Sequence, residues 1–300
     1  MRVAVDCLDQ IVAARSGPVY AYHQIVHNNQ VVDSFQSRGV VFVDDIQKIP
    51  NEAVVVFSAH GVAPEIYRQA RARNLTIVDA TCPLVMKVHL EARRFQQEGY
   101  SIVLIGHRGH DEVIGIQGEA AESIQVVETL EEIATVKVPD PQKVAVLTQT
   151  TLSLDETKAM IAALRLRFPL LRLPHKDDIC YATQNRQEAL KATLAQADIA
   201  LVIGSRSSSN TQRLRELSCE YGVRSYLVDR PQEIDLEWFR DAHRVVLTAG
   251  ASVPEELVTE VMQWLSERFL LEIKERIYRE EQVNFVLPAS AISASYATTP

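Results

Sequence analysis

The feature that most constrains this chain is a recurring unit, in which a short apolar run stops at a cluster of small polar residues and a helix pattern then begins. Ala53–Phe57 ends at Ser58-Ala59-His60-Gly61, Ser101–Ile105 ends at Gly106-His107-Arg108-Gly109-His110-Asp111-Glu112, and Ile199–Ile203 ends at Gly204–Asn210. These are expected to be equivalents. A second set reads alike: Thr76–Val78 into Ala80-Thr81-Cys82-Pro83, Val144–Leu147 into Thr148-Gln149-Thr150-Thr151, and Val245–Leu247 into Thr248-Ala249-Gly250-Ala251-Ser252. Strands that are apolar throughout must bury both faces, which requires parallel sheets covered by helices. In such sheets ligands gather at the carboxyl ends of the strands, where all six polar loops lie.

The expected fold class is therefore α/β, with three similar parallel-sheet units over Met1–Cys82, Pro83–Cys180 and Tyr181–Phe269, and a tail over Leu270–Pro300. A pseudo-threefold arrangement of the three would point the polar rims at one central cavity. Met1–Ala14 reads as a helix with Val5, Leu8, Ile11 and Val12 at helical spacing, and Pro18–Tyr22 as a strand. Asn28 or Asn29 is placed to cap a helix carrying Val31, Val32 and Phe35, which Gly39 ends. A further helix is expected over Arg186–Ala195, a strand over Val283–Leu287, and a frayed end at Ala289–Ser295.

Composition narrows the function classes. A chain with 47% hydrophobic and 23% charged residues is globular, and a net charge of -8 argues against an unaided grip on nucleic acid. No apolar run reaches the roughly 18 residues of a membrane span and no leader opens the chain, so a cytoplasmic protein with no membrane partner is expected. In that compartment four scattered cysteines, Cys7, Cys82, Cys180 and Cys219, suggest metal or catalysis before disulfides.

Cys82 sits where the Leu75–Val78 strand hands over to a helix opened by Pro83, and free N–H groups at a helix start stabilise a thiolate. Cys180 repeats that situation at the next junction. Either alone reads as a small buried hydrophobe. Two at equivalent boundaries of a threefold pattern imply a third, and three soft ligands suit an iron–sulfur cluster better than zinc. His27, His60 and His110 each follow a strand, beside Asn28, Gly61 and Gly109, and can donate to phosphate oxygens. Singly each would pass for a surface imidazole; matched, they point to an anion site. Ser208, Ser209 and Asn210 at a helix start, and Ser252, offer further donors to an anion, although the serine run also reads as an ordinary cap. Glu112, in a partly dry cavity, would be a proton donor with a raised pKa, and Thr150 or Thr151 would orient a hydroxyl. His89, His175, His243, Cys7 and Cys219 have plain structural explanations.

Eight motifs in order resemble the 4-hydroxy-3-methylbut-2-enyl diphosphate reductase family: Ile25–Asn28, Phe57–Val62, Asp79–Val85, Gly106–Val113, Thr148–Leu152, Asp178–Thr183, Ser207–Asn210 and Thr248–Ser252. The resemblance implies a trefoil of three α/β domains around a [4Fe–4S] cluster held by three cysteines, two of them Cys82 and Cys180. It implies reductive removal of the allylic hydroxyl of (E)-4-hydroxy-3-methylbut-2-enyl diphosphate to give isopentenyl and dimethylallyl diphosphate, with electrons from reduced ferredoxin or flavodoxin. His27, His60, His110, Ser208, Ser209, Asn210 and Ser252 would grip the diphosphate, Thr183 would line the cavity, Glu112 would deliver protons and Thr150 would place the hydroxyl. The family's first cluster cysteine lies in a Gly-Phe-Cys-Ala-Gly-Val segment, and alignment through Pro18 and His27 puts Met1 at its valine. That cysteine is expected just ahead of Met1, and a polypeptide without it, and without the opening strand, would lose its cluster readily. The competing readings are a diphosphate-binding relic without a cluster and a zinc phosphohydrolase built on the histidines and Glu112.

Overall fold

The apolar runs Val54–Phe57, Ser101–Ile105, Val144–Thr148 and Ile199–Ile203 bury both of their faces, and this fixes the layering. In the computed structural model, which describes residues 1–15, 17–279 and 285–287, helix α1 (Arg2–Ala14) precedes β1 (Val19–Tyr22), α2 (Asn29–Ser37), β2 (Val40–Val43), β3 (Val54–Phe57), α3 (Pro64–Ala72) and β4 (Thr76–Asp79). Next come α4 (Pro83–Gln97), β5 (Ser101–Ile105), α5 (Asp111–Glu119), β6 (Ile124–Val127), α6 (Leu130–Ile133), β7 (Val144–Thr148) and α7 (Leu154–Arg167). The chain continues through α8 (Tyr181–Leu194), β8 (Ile199–Ile203), α9 (Ser209–Glu220), β9 (Arg224–Val228), β10 (Val245–Ala249) and α10 (Glu255–Ser266).

These strands form three parallel sheets, ordered β2-β1-β3-β4, β6-β5-β7 and β10-β8-β9. The α/β class with three parallel sheets is as the sequence implies. On β5, Ile102 and Leu104 pack with Val88, Phe95 and Ile116 on one face, while Val103 and Ile105 pack with Met160 and Leu164 on the other. On β8, Ile199, Leu201 and Ile203 meet Leu257 and Val261 of α10, and Ala200 and Val202 meet Leu190 of α8 and Leu214 of α9. Period-two strands between amphipathic helices thus leave only the loops at the strand ends for chemistry.

The chain divides into two compact units. One holds residues 1–26 and 32–180 with the first two sheets, together with 285–287; the other holds 27–31 and 181–279 with the third sheet.

The repeat is real, but its register differs from the expected one. Pairing makes β1, β5 and β8 equivalent, because each is flanked by the two strands that follow it, and β3, β7 and β10 are then equivalent in turn. Val54–Phe57 resembles β5 and β8 because β3 is also an interior strand, flanked by β1 and β4 and buried along its whole length. The fourth strand β4 has a trace of a counterpart in the second sheet, where Arg172 bridges to Ala145 of β7. Cys82 follows β4 and Cys180 follows that bridge, so their correspondence stands.

Other differences are local. On α1 the buried residues are Ala4, Cys7, Leu8 and Ile11, so Val5 and Val12 sit at the edge of the covered face. Asn28, not Asn29, caps α2, its Oδ1 accepting the Val31 N–H at 3.0 Å. α8 begins at Tyr181, earlier than Arg186. Residues 285–287 form no strand, and the remainder of the expected Val283–Leu287 strand, with the Ala289–Ser295 end, lies outside the described residues. No helix among the described residues is long and apolar enough to cross a membrane.

Candidate functional site

In the first unit the site is carried by loops at the carboxyl ends of β3, β4, β5 and β7. Cys82 is the N-cap residue of α4, with Pro83 in the first turn. Asp79 shapes its loop by accepting the N–H and hydroxyl of Thr81 at 3.0 and 2.5 Å, while the Cys82 N–H donates to the Ala59 carbonyl at 3.0 Å. This ties Cys82 to the residue before His60. Gly61, at φ +76°, makes the turn that follows, and a Cβ there would come within 2.8 Å of His89 Nε2. Only glycine meets both conditions.

His60 is buried, and its ring meets that of His110 edge-on with centroids 5.6 Å apart. His110 caps α5: its Nδ1 accepts the Glu112 N–H at 3.1 Å, so the neutral ring carries its proton on Nε2. Asp111 lies 2.6 Å from Nδ1 of His23, a residue held at φ +60°; that hydrogen bond, helped by the Asp111 charge, raises the His23 pKa.

Glu112 is 1% exposed. Its Oε1 accepts the Thr150 N–H at 2.6 Å and its Oε2 the Thr150 hydroxyl at 2.9 Å. Burial raises its pKa to about 7 against the opposing pull of those two bonds, so near neutrality it exchanges a proton readily. The Thr150 carbonyl in turn accepts the Cys180 N–H at 3.0 Å. A continuous run of contacts therefore links Cys82, His60, His110, Glu112, Thr150 and Cys180, residues drawn from five connecting segments. Neither cysteine is part of a disulfide among the described residues, and both are half-buried.

In the second unit the candidates follow β8 and β10, which are neighbours. Ser208 caps α9, its Oγ accepting the Thr211 N–H at 3.3 Å, so the cap reading of the serine run holds for this hydroxyl. Asn210 is 1% exposed, yet neither atom of its side-chain amide has a partner among the described residues; the same holds for the Thr211 hydroxyl. The Ser252 hydroxyl donates to the His27 carbonyl at 3.2 Å, which brings these two candidates together across 225 residues of sequence. Thr183, fully buried, lies in the first turn of α8. Ser209 is half-buried at the start of α9.

Two side chains that the motif reading did not single out are joined to this framework. Lys87 of α4 and Asp178, two residues before Cys180, form an ion pair at 3.0 Å. Their 91-residue separation leaves no local signal.

Similarity to known proteins points the same way. Residues 1–266 match the model of the LytB protein family. A 4-hydroxy-3-methylbut-2-enyl diphosphate reductase of Rhodopirellula baltica is 50% identical over 96% of this chain and 90% of its own length. One from Acidothermus cellulolyticus is 50% identical over 95% of this chain and 84% of that protein. The solved E-1-hydroxy-2-methyl-but-2-enyl-4-diphosphate reductase of Plasmodium falciparum superposes with a TM-score of 0.94 at 31% identity, covering 97% of this chain and 92% of that one.

Proposed function

The chain belongs to the LytB family, whose curated relatives are 4-hydroxy-3-methylbut-2-enyl diphosphate reductases, and on that premise we propose that it removes the allylic hydroxyl of (E)-4-hydroxy-3-methylbut-2-enyl diphosphate reductively. Water leaves, and the products are isopentenyl and dimethylallyl diphosphate.

The observation that carries this reading is the placement of Glu112. A carboxyl group with a pKa of about 7 is bonded to the same residue, Thr150, whose carbonyl anchors Cys180. A proton source and a soft metal ligand are thus built into one loop junction, which suits an oxygen that must leave as water. Glu112 delivers the proton, and the Thr150 hydroxyl, already within reach of Glu112, places the departing oxygen. His27, His60, His110, Ser208, Ser209, Asn210 and Ser252 bind the diphosphate, and Thr183 lines the cavity. The unpartnered amide of Asn210 supports this assignment, since buried polar atoms ordinarily have partners and a ligand oxygen would supply them.

Half-buried thiols at the starts of two helices fit a [4Fe–4S] cluster, and Cys82 and Cys180 would serve as two of its ligands. When bound, the cluster supplies the electrons and a Lewis-acidic iron for the hydroxyl oxygen. Cys7 is no substitute, because burial, aided by the Asp79 charge, pushes its thiol pKa up to about 11. Reduced ferredoxin or flavodoxin is the electron donor in this reading, and the cytoplasm the compartment.

The test is iron and acid-labile sulfide after anaerobic reconstitution of the protein. About four of each per chain, lost in Cys82→Ser and Cys180→Ser, support the reading. No iron in the parent leaves the diphosphate-binding relic.

A further inference from the structure

Lys87 lies on α4, the helix that Cys82 opens, and its ammonium group reaches the segment that ends at Cys180. All three of its donors are used there: on the carbonyl of Lys176, on the carbonyl of Asp177 at 3.0 Å, and on Oδ1 of Asp178 at 3.0 Å. Asp178 spends its second oxygen on the N–H of Thr148, at the end of β7, at 3.0 Å. Its side chain is wholly buried, while that of Lys87 is a quarter exposed.

We propose that Lys87 and Asp178 are positioning residues, a clasp that locks the Cys180 segment onto the Cys82 helix so that both thiols are in place before a cluster arrives. The inference rests on the reading of Cys82 and Cys180 as cluster ligands. A buried ion pair adds little net stability, since desolvation offsets most of its Coulombic gain. What it does supply is register. The segment from Leu173 to Ile179 contains no helix or strand, and Cys180 itself has the Thr150 carbonyl as its backbone anchor. Fixing Lys176, Asp177 and Asp178 to α4, and Asp178 also to the end of β7, removes the freedom that such a segment would otherwise have to surrender when sulfur meets iron. Preorganised ligands release metal more slowly for that reason.

The test compares the parent with Lys87→Met/Asp178→Asn, which removes both charges together and leaves no unpaired ion in the interior. In the cluster-free chain, amide hydrogen exchange over residues 176–180 should quicken at least tenfold while β5, β7 and β8 keep their protection. After reconstitution, iron should pass to a chelator about tenfold faster than from the parent, with little change in the thermal midpoint of the cluster-free chain. Lys87→Arg, which keeps the charge, should recover most of the retention. Should the double variant not fold, Asp178→Asn alone gives the comparison, since the ammonium left without its carboxylate is a quarter exposed and keeps two carbonyl partners. Unchanged exchange together with unchanged iron release overturns the clasp. A parent that takes up no iron defeats the cluster reading instead, and the exchange measurement still decides whether the segment is held.

Discussion

Thr150 holds both carboxylate oxygens of Glu112, one with its backbone N–H and the other with its hydroxyl. Burial nonetheless carries the Glu112 pKa from 4.5 to about 7. The folded protein therefore binds this proton more tightly than the unfolded chain. Stability from that preference is fully present below pH 4.5 and is lost as pH rises through about 7. The upper limit of the loss is on the order of 3 kcal/mol. Asp178, raised to about 6 by burial, contributes a similar loss over a lower window. Glu112→Gln should remove the upper part of the decline, measured as denaturant midpoints across that range. A decline equal to the parent's would assign it to other groups.

The same substitution bears on turnover. General acid catalysis contributes about a hundredfold or more, so Glu112→Gln should lower kcat by at least that factor while leaving iron content unchanged. Loss of iron in parallel with activity would assign Glu112 to holding the site together.

Thr150→Val keeps the backbone N–H and removes the hydroxyl that stabilises the ionised carboxylate. The alkaline limb of the pH–rate profile, where the general acid loses its proton, should then move upward, because the charged form has lost a partner. A kcat reduction of roughly tenfold with little change in KM is expected, and Thr150→Ser should restore most of it. An unmoved limb would mean that the hydroxyl does not govern the Glu112 proton.

Asn210→Ala separates binding from folding. Neither amide atom is bonded within the described protein, so truncation should leave stability within about 1 kcal/mol of the parent. Affinity for inorganic diphosphate should fall at least tenfold by calorimetric titration. Unaltered affinity would show that the amide does not face the anion.

Gly61→Ala should be costly, because it forces φ +76° on a residue with a Cβ and drives that carbon into His89. The two effects together predict about 2–4 kcal/mol in denaturant unfolding. A neutral result would mean that the loop carrying His60 adapts freely.

What could be read from sequence was whatever interrupts an apolar strand. Cys82, His60, His110, Glu112 and Thr150 stand out because polar residues follow runs such as Ile102–Ile105, and the parallel sheets follow from the unbroken burial of those runs. Two edge strands, β6 and β9, were not legible. Ile124–Val127 and Arg224–Val228 carry polar or half-exposed positions and escape an apolar-run criterion, and without them Val54–Phe57 was matched to the wrong partners. Pairs far apart in sequence were equally hidden: Lys87 with Asp178, and Asn29 with Asp229 at 2.7 Å. No window of sequence contains both members of either pair. The cap at Ser208 and the unpartnered amide of Asn210, two residues on, look alike in sequence and are both buried; only the folded geometry tells a used hydrogen-bonding group from an idle one.

The bond from Ser252 to the His27 carbonyl has a consequence for biosynthesis. Residues 27–31 belong with 181–279, so the ribosome delivers an early piece of the second unit long before the body it joins. At ordinary elongation speeds the 225 residues between the two partners take about 10–45 s to emerge. The loops bearing Glu112, Cys82 and Cys180 can be complete on the nascent chain while His27 still waits for Ser252, so the second unit is the last to close.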